Sequence, residues 1–117
     1  MPARVLIVDD DPDFRQSAGR LLSDRGYHVV GAAGSVEQAR AALGDARPDA
    51  VLLDVNLPDG DGIDFARELT AGDDGPRVLL TSSDSGAAPR RLVERSGATG
   101  FVAKIDLAAA ELGPYLG

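Results

Sequence analysis

Three aspartates and one lysine have the types and the placement to do chemistry. Asp9-Asp10 close the apolar run Val5-Leu6-Ile7-Val8, and Asp54 closes Ala50-Val51-Leu52-Leu53. Carboxylates gathered at strand ends attract a hard cation, because like charges about 5 Å apart repel by about 3 kcal/mol per pair at an effective dielectric of about 20. Oxygen-only donors with room for water suit Mg²⁺, and Mn²⁺ can take its place. Lys104 follows a third short run, Phe101-Val102-Ala103, and is the sole lysine in a chain whose Lys and Arg residues total 12. A compact ammonium suits one oxygen of a phosphoryl group, whereas arginine grips flat anions with two prongs. Together these residues read as phosphoryl chemistry on Asp54.

To bring these groups together, the chain must fold as an open parallel sheet. Short apolar runs recur at Val5–Val8, His28–Ala32, Ala50–Leu53, Val78–Leu80 and Phe101–Ala103, each separated by enough residues for a helix. Five strands alternating with helices predict an α/β, doubly wound parallel sheet covered on both faces. The first, third and fourth runs are the most apolar and read as central. His28, Gly31, Thr99 and Gly100 dilute the second and fifth, which read as edges, so the expected strand order is 2-1-3-4-5. In such a sheet the ends of strands one, three, four and five place Asp9-Asp10, Asp54, Thr81 and Lys104 on one edge.

The helices are marked by their spacing and their ends. Phe14, Ala18, Leu21 and Leu22 share a face in the first, Val36, Ala39 and Leu43 in the second, and Ile63, Ala66 and Leu69 in the third. Asp11-Pro12 reads as an N-cap with proline in the first turn, and Gly26 as a stop. Ser35 is the expected cap of the second helix. A fourth helix is predicted over 88–96, and Asp106 is expected to cap a short fifth helix ending near Gly113-Pro114.

Length and charge narrow the function. A chain of 117 residues suits one domain, taken here as 1–117. Its net charge of -7 argues against direct nucleic-acid binding, which needs a basic face. Without cysteine there is neither a disulfide framework nor a thiolate metal site. No signal peptide or membrane span is legible, so a cytoplasmic protein with no membrane contact is expected.

Val8-Asp9-Asp10, Leu53-Asp54, Leu57-Pro58 with Gly62 beyond, Leu80-Thr81, Gly97-Ala98 and Phe101 three residues before Lys104 together resemble the receiver domain of bacterial two-component response regulators. The resemblance covers essentially the whole chain and implies a flavodoxin-like topology. It implies a phospho-accepting signalling switch rather than an enzyme, one that catalyses only its own phosphorylation and dephosphorylation. Asp54 would be the phosphoacceptor, served by a sensor histidine kinase or a histidine phosphotransfer protein. The implied Mg²⁺ ligands are Asp9, Asp10, Asp54 and the backbone carbonyl of Asn56. Thr81 and Lys104 would each bind a phosphoryl oxygen, and Thr81 with Phe101 would form the switch that is read on the face of the fourth helix, fifth strand and fifth helix. A phosphorylation-dependent homodimer is compatible with this class.

Two departures stand out. Ile105 takes the place of the proline that usually follows the lysine in a cis bond, so a trans bond and a differently placed Lys104 loop are expected. Gly100 stands where regulators that dimerise through a conserved charge set carry an acidic residue. The run Gly97 to Lys104 looks more like regulators with a four-helix DNA-binding effector, so a stand-alone receiver and an excised N-terminal domain both remain open, as do the kinase, the pathway and the acyl-phosphate lifetime. Other function classes fit less well. A phosphorylation-independent interaction module is kept open by Ile105. A haloacid-dehalogenase-type phosphatase needs an acid where Asn56 stands, and a flavin or nucleotide binder needs a glycine-rich loop where Asp9-Asp10-Asp11 stand. Asp11 and Asp13 read as capping residues, Asp59-Gly60-Asp61-Gly62 as turn chemistry, His28 as a strand start, and Arg90, Arg91 and Arg95 as a solvated face.

Overall fold

Five parallel strands, each placed by its own apolar run, make up the sheet of the computed structural model, which describes residues 2–117. Met1, the first residue of the expected 1–117 domain, lies outside the described residues. The strands are β1 (Arg4–Val8), β2 (His28–Ala33), β3 (Ala50–Asp54), β4 (Arg77–Thr81) and β5 (Gly100–Phe101). Their order is β2-β1-β3-β4-β5, as the dilution of the edge runs predicts. The three central strands are buried along nearly their whole length, while β2 and β5 are mostly partly exposed.

Helices α1 (Pro12–Asp24), α2 (Val36–Ala46), α3 (Gly62–Thr70) and α4 (Arg90–Ser96) follow successive strands. Alternate strand residues supply the two cores. Leu6, Val8, Val51, Leu53, Val78 and Leu80 pack with residues of α2, α3 and α4, whereas Val5, Ile7, Leu52 and Leu79 pack with Ala18 and Leu22 of α1 and with Leu107, Leu112 and Leu116. Asp11 caps α1 by accepting from the Asp13 amide, Ser35 caps α2 through the Gln38 amide, and Asp61 caps α3 through the Ile63 amide.

Three boundaries differ from expectation. Helix α4 starts two residues later than predicted, because Pro89 is extended (φ -54°, ψ 141°) and proline excludes the preceding residue from helical geometry. Strand β5 stops at Phe101. The carbonyl of Val102 is taken by the hydroxyl of Thr81, and Lys104 then enters a 3₁₀ turn, Lys104–Asp106. The fifth helix, α5 (Gly113–Leu116), begins at the Gly113-Pro114 step that was expected to end it. Pro114 sits in the first turn, where no amide is required, and has no N–H to continue a helix from the Ala110 carbonyl; the Arg25 guanidinium donates to the carbonyls of Ala108 and Ala110 instead. Burial of Leu107, Leu112 and Leu116 fixes this irregular path.

Gly62 is required by close approach. A Cβ there would lie 2.1 Å from the Asp54 carbonyl oxygen and 2.7 Å from the Val55 Cα, both backbone atoms. Helix α3 is thereby drawn tight against the end of β3, with the Gly62 amide donating to the Val55 carbonyl at 2.7 Å. Gly62→Ala must shift one of the two segments and is expected to cost about 1–3 kcal/mol. A urea midpoint equal to that of the unsubstituted protein would contradict this packing.

Candidate functional site

The site lies at the carboxyl edge of the sheet and is built from the ends of β1, β3, β4 and β5. Strands β1 and β3 pair in parallel, with Val8 opposite Leu53, so Asp9 and Asp54 emerge side by side. Oxygens of Asp9, Asp10 and Asp54 all lie within 4.8 Å of one another. Asp9 is fully buried, Asp54 nearly so, and Asp10 is exposed. Each buried carboxylate is held by a nearby amide: Asp9 Oδ1 accepts from the Asp11 amide at 2.9 Å, and Asp54 Oδ1 from the Asn56 amide at 3.0 Å.

Lys104 reaches the pair despite Ile105. Its ammonium is 2.7 Å from Asp9 Oδ2 and donates to Asp54 Oδ2 at 3.3 Å. All peptide bonds among the described residues are trans, and Ile105 is 90% exposed, turned away from the pocket. The loop is held by the Lys104 amide, which donates to the Ser82 carbonyl at 2.9 Å, and by the 3₁₀ turn that follows. The lysine therefore bridges both carboxylates without a proline after it.

These contacts set the charge states. Burial pushes the Asp54 carboxyl above the ordinary carboxylate range, the Asn56 amide pulls it down, Asp9 raises it again and Lys104 lowers it, with a net upward shift. Burial would lower the Lys104 ammonium, but the attraction of Asp9 and Asp54 outweighs it and holds the group above its usual range. Asp9 Oδ2 is fully buried, and the Lys104 ammonium at 2.7 Å is its ion-pair partner. Three carboxylates within 4.8 Å of one another, two of them buried and served by one shared ammonium, fit a hard divalent cation. The donor set suits Mg²⁺ in its chemistry.

Thr81 lies directly across the β3–β4 register from Asp54 and is fully buried. Its hydroxyl donates to the Val102 carbonyl at 2.7 Å. Phe101, on β5, is partly buried and packs against the α2–α3–α4 core. Asn56 is exposed on a two-residue ribbon, Asn56–Leu57 paired with Gly60–Asp61. Tyr115 lies over Gly100, and a Cβ at residue 100 would come 2.4 Å from its ring. An acidic residue at position 100 would require that ring to move.

Other readings also find their places. His28 pairs beside Arg4 at the opposite end of the sheet, and Arg90, Arg91 and Arg95 are exposed, Arg90 meeting Glu94 across one helical turn. Turn chemistry explains only part of Asp59, whose carboxylate accepts from the amides of Val36 and Glu37 and so ties the ribbon after Asp54 to the start of α2. Sequence reasoning missed two neighbours of the site. Arg15 donates to the Asp9 carbonyl at 2.8 Å, and the Phe14 ring centroid lies 4.3 Å from the Lys104 ammonium. The Asp11-Pro12 cap holds the only signal for them, since it sets which residues of the first turn look back toward β1.

A buried carboxylate pair bridged by lysine at the carboxyl edge of a five-stranded parallel sheet defines the receiver class. A family model for the response regulator receiver domain matches residues 5–112, and the chain belongs to that family. Response regulator MprA of Mycobacterium sp. (strain KMS) is 48% identical over 86 residues, covering 73% of this chain and 37% of that protein. Transcriptional regulatory protein PdtaR of Mycobacterium tuberculosis is 37% identical over 103 residues, covering 88% of this chain and 48% of its own length. The chain thus spans between about a third and a half of these curated relatives. Among solved structures, a LuxR-family two-component response regulator from Aurantimonas sp. SI85-9A1 is similar with TM-score 0.83 and 33% identity, over 93% of this chain and 79% of that one. Chemotaxis response regulator CheY4 of Vibrio cholerae is similar with TM-score 0.76 and 30% identity, over 89% and 88%. No helix among the described residues is long and apolar enough to cross a membrane.

Proposed function

We propose that residues 1–117 act as one cytoplasmic receiver domain in which Asp54 takes a phosphoryl group from a histidine kinase or phosphotransfer protein. One observation carries the reading: Asp54 is buried at a strand end with Lys104 Nζ at 3.3 Å and oxygens of Asp9 and Asp10 within 4.8 Å. An Asp54 carboxylate oxygen attacks phosphorus, the donor's nitrogen–phosphorus bond breaks, and the imidazole leaves as the acyl phosphate forms. Asp9, Asp10, Asp54 and the Asn56 carbonyl would hold Mg²⁺, or Mn²⁺ in its place. A bound cation supplies neutralisation of the charge on the phosphoryl oxygens. Lys104 exchanges one carboxylate oxygen for a phosphoryl oxygen, which takes little movement because it already donates to Asp54.

Thr81 supplies the switch. Its hydroxyl is turned toward Val102, and binding a phosphoryl oxygen requires it to rotate and release that carbonyl, loosening the start of the loop that carries Lys104. Phe101 then turns into the space vacated, and the change is read on the α4–β5–α5 face by an output protein or effector domain. In this reading the chain binds no nucleic acid itself.

Intact mass after incubation with Mg²⁺ and phosphoramidate tests the core claim. One added phosphoryl mass is expected in the unsubstituted protein and none in Asp54→Asn. Labelling of Asp54→Asn to the same extent would move the acceptor elsewhere. Thr81→Val, which keeps shape but loses the donor to Val102, is expected to cost about 1–2 kcal/mol of stability and to leave uptake measurable. Amide spectra of that variant with and without beryllofluoride should differ only near Asp54. Spectral changes reaching Phe101 as in the unsubstituted protein would remove Thr81 from the switch.

A further inference from the structure

We propose that Phe14 is a positioning residue for Lys104, its ring face holding the ammonium at the carboxylate pair where no proline after the lysine shapes the loop. The inference rests on the phosphoacceptor reading of Asp54. Lys104 Nζ lies beside Asp9, Asp54 and the Phe14 ring, whose centroid is 4.3 Å away. The two carboxylates cannot guide the lysine throughout the reaction. Asp54 ceases to be a carboxylate when it becomes the acyl phosphate, and Oδ2 of Asp9, now 2.7 Å from the ammonium, is also a donor for a cation. Of these three, Phe14 offers the same surface before and after.

The ring is placed for this by local structure. Asp11 caps α1 and Pro12 starts it, which brings Phe14 into the first turn beside the site. Phe14 is only partly buried, packing on the core around Val5 and Ile7 while the lysine sits within reach of a ring face. A cation within about 6 Å of a ring centroid is attracted by its quadrupole, and partial desolvation strengthens that attraction. Lys104 retains only 18% of its side-chain exposure. A purely structural role for Phe14 would be met by leucine, which fills a core but presents no quadrupole.

The single lysine makes the contact readable without any activity measurement. In metal-free protein carrying isotopically labelled lysine, the one set of side-chain ε-proton signals is expected upfield of its unfolded position by the ring current, and Phe14→Leu should abolish that displacement. No displacement in the unsubstituted protein overturns the proposal. In phosphoramidate labelling, Phe14→Leu should slow uptake about five- to tenfold and Phe14→Tyr by less than about twofold. In a Lys104→Ala background, Phe14→Leu should add no further slowing, because the effect passes through the lysine. Equal slowing in both backgrounds, or Phe14→Leu at the unsubstituted rate, overturns it. Absence of uptake by the unsubstituted protein would instead sink the phosphoacceptor reading, and the lysine signal would then decide whether the ring holds the ammonium.

Discussion

Lys104→Ala is expected to melt about 8 °C below the unsubstituted protein in EDTA and to bind Mg²⁺ about tenfold more tightly. The two effects share one cause. Lys104 lies 2.7 Å from Asp9 and 3.3 Å from Asp54, both buried. Removing one partner of a buried ion pair costs about 3–5 kcal/mol where the remaining charge is fully sequestered. Asp10 is exposed and Lys104 keeps 18% of its side-chain exposure, so about 2 kcal/mol is the better figure, at about 4 °C for each kcal/mol in a chain of this size. The same ammonium competes with a divalent ion for the same oxygens, and tenfold in affinity is about 1.4 kcal/mol of that competition. Saturating Mg²⁺ should therefore recover much of the lost melting temperature. A variant that melts normally in EDTA and binds Mg²⁺ no more tightly would show that the lysine does not neutralise the pair.

Asp54→Asn should move stability the other way, raising the melting temperature in EDTA by about 4 °C and narrowing the gain conferred by Mg²⁺. Burial is the leading cause of the raised Asp54 pKa, so its ionised form opposes folding. Asparagine keeps an oxygen for the Asn56 amide while removing the charge. The sign of the pH dependence follows by linkage. With the folded-state pKa above the unfolded value, the penalty is fully present above the folded pKa and fades as pH falls toward the unfolded one. The advantage of Asp54→Asn should accordingly shrink on acidification below the folded pKa of Asp54. An advantage that grows on acidification, or none at neutral pH, would mean that the charged carboxylate is not under strain in the fold.

Much of the chain was legible because its signals are local. The run Ala50 to Leu53 is apolar at every position, as a strand buried on both faces requires, and all five of its residues through Asp54 are buried. Asp11, Ser35 and Gly26 mark helix ends through their own side chain or backbone freedom, and Asp11 and Ser35 cap as their types predict, while Gly26 has φ 88°. The fifth helix was misread for the opposite reason. Asp106 and Pro114 each carry a valid local signal, but contacts distant in sequence compete with it: Arg25, 83 residues away from Ala108, donates to that stretch, and Leu107, Leu112 and Leu116 bury against the sheet. A competitor so distant in sequence leaves no trace in the local pattern.

The same division runs through the site. Sequence alone determined which groups meet: residue types at strand ends, combined with the order of a parallel sheet, bring Asp9, Asp10, Asp54, Thr81 and Lys104 to one edge. Tertiary structure decided how they stand to one another. That Asp9 is fully buried, that Thr81 turns to Val102, that Lys104 reaches both carboxylates past Ile105, and that Phe14 lies under its ammonium all depend on side-chain directions set by several elements at once. Periodicity reports which face a residue occupies; the free energy of a contact between faces is felt only when both are in place.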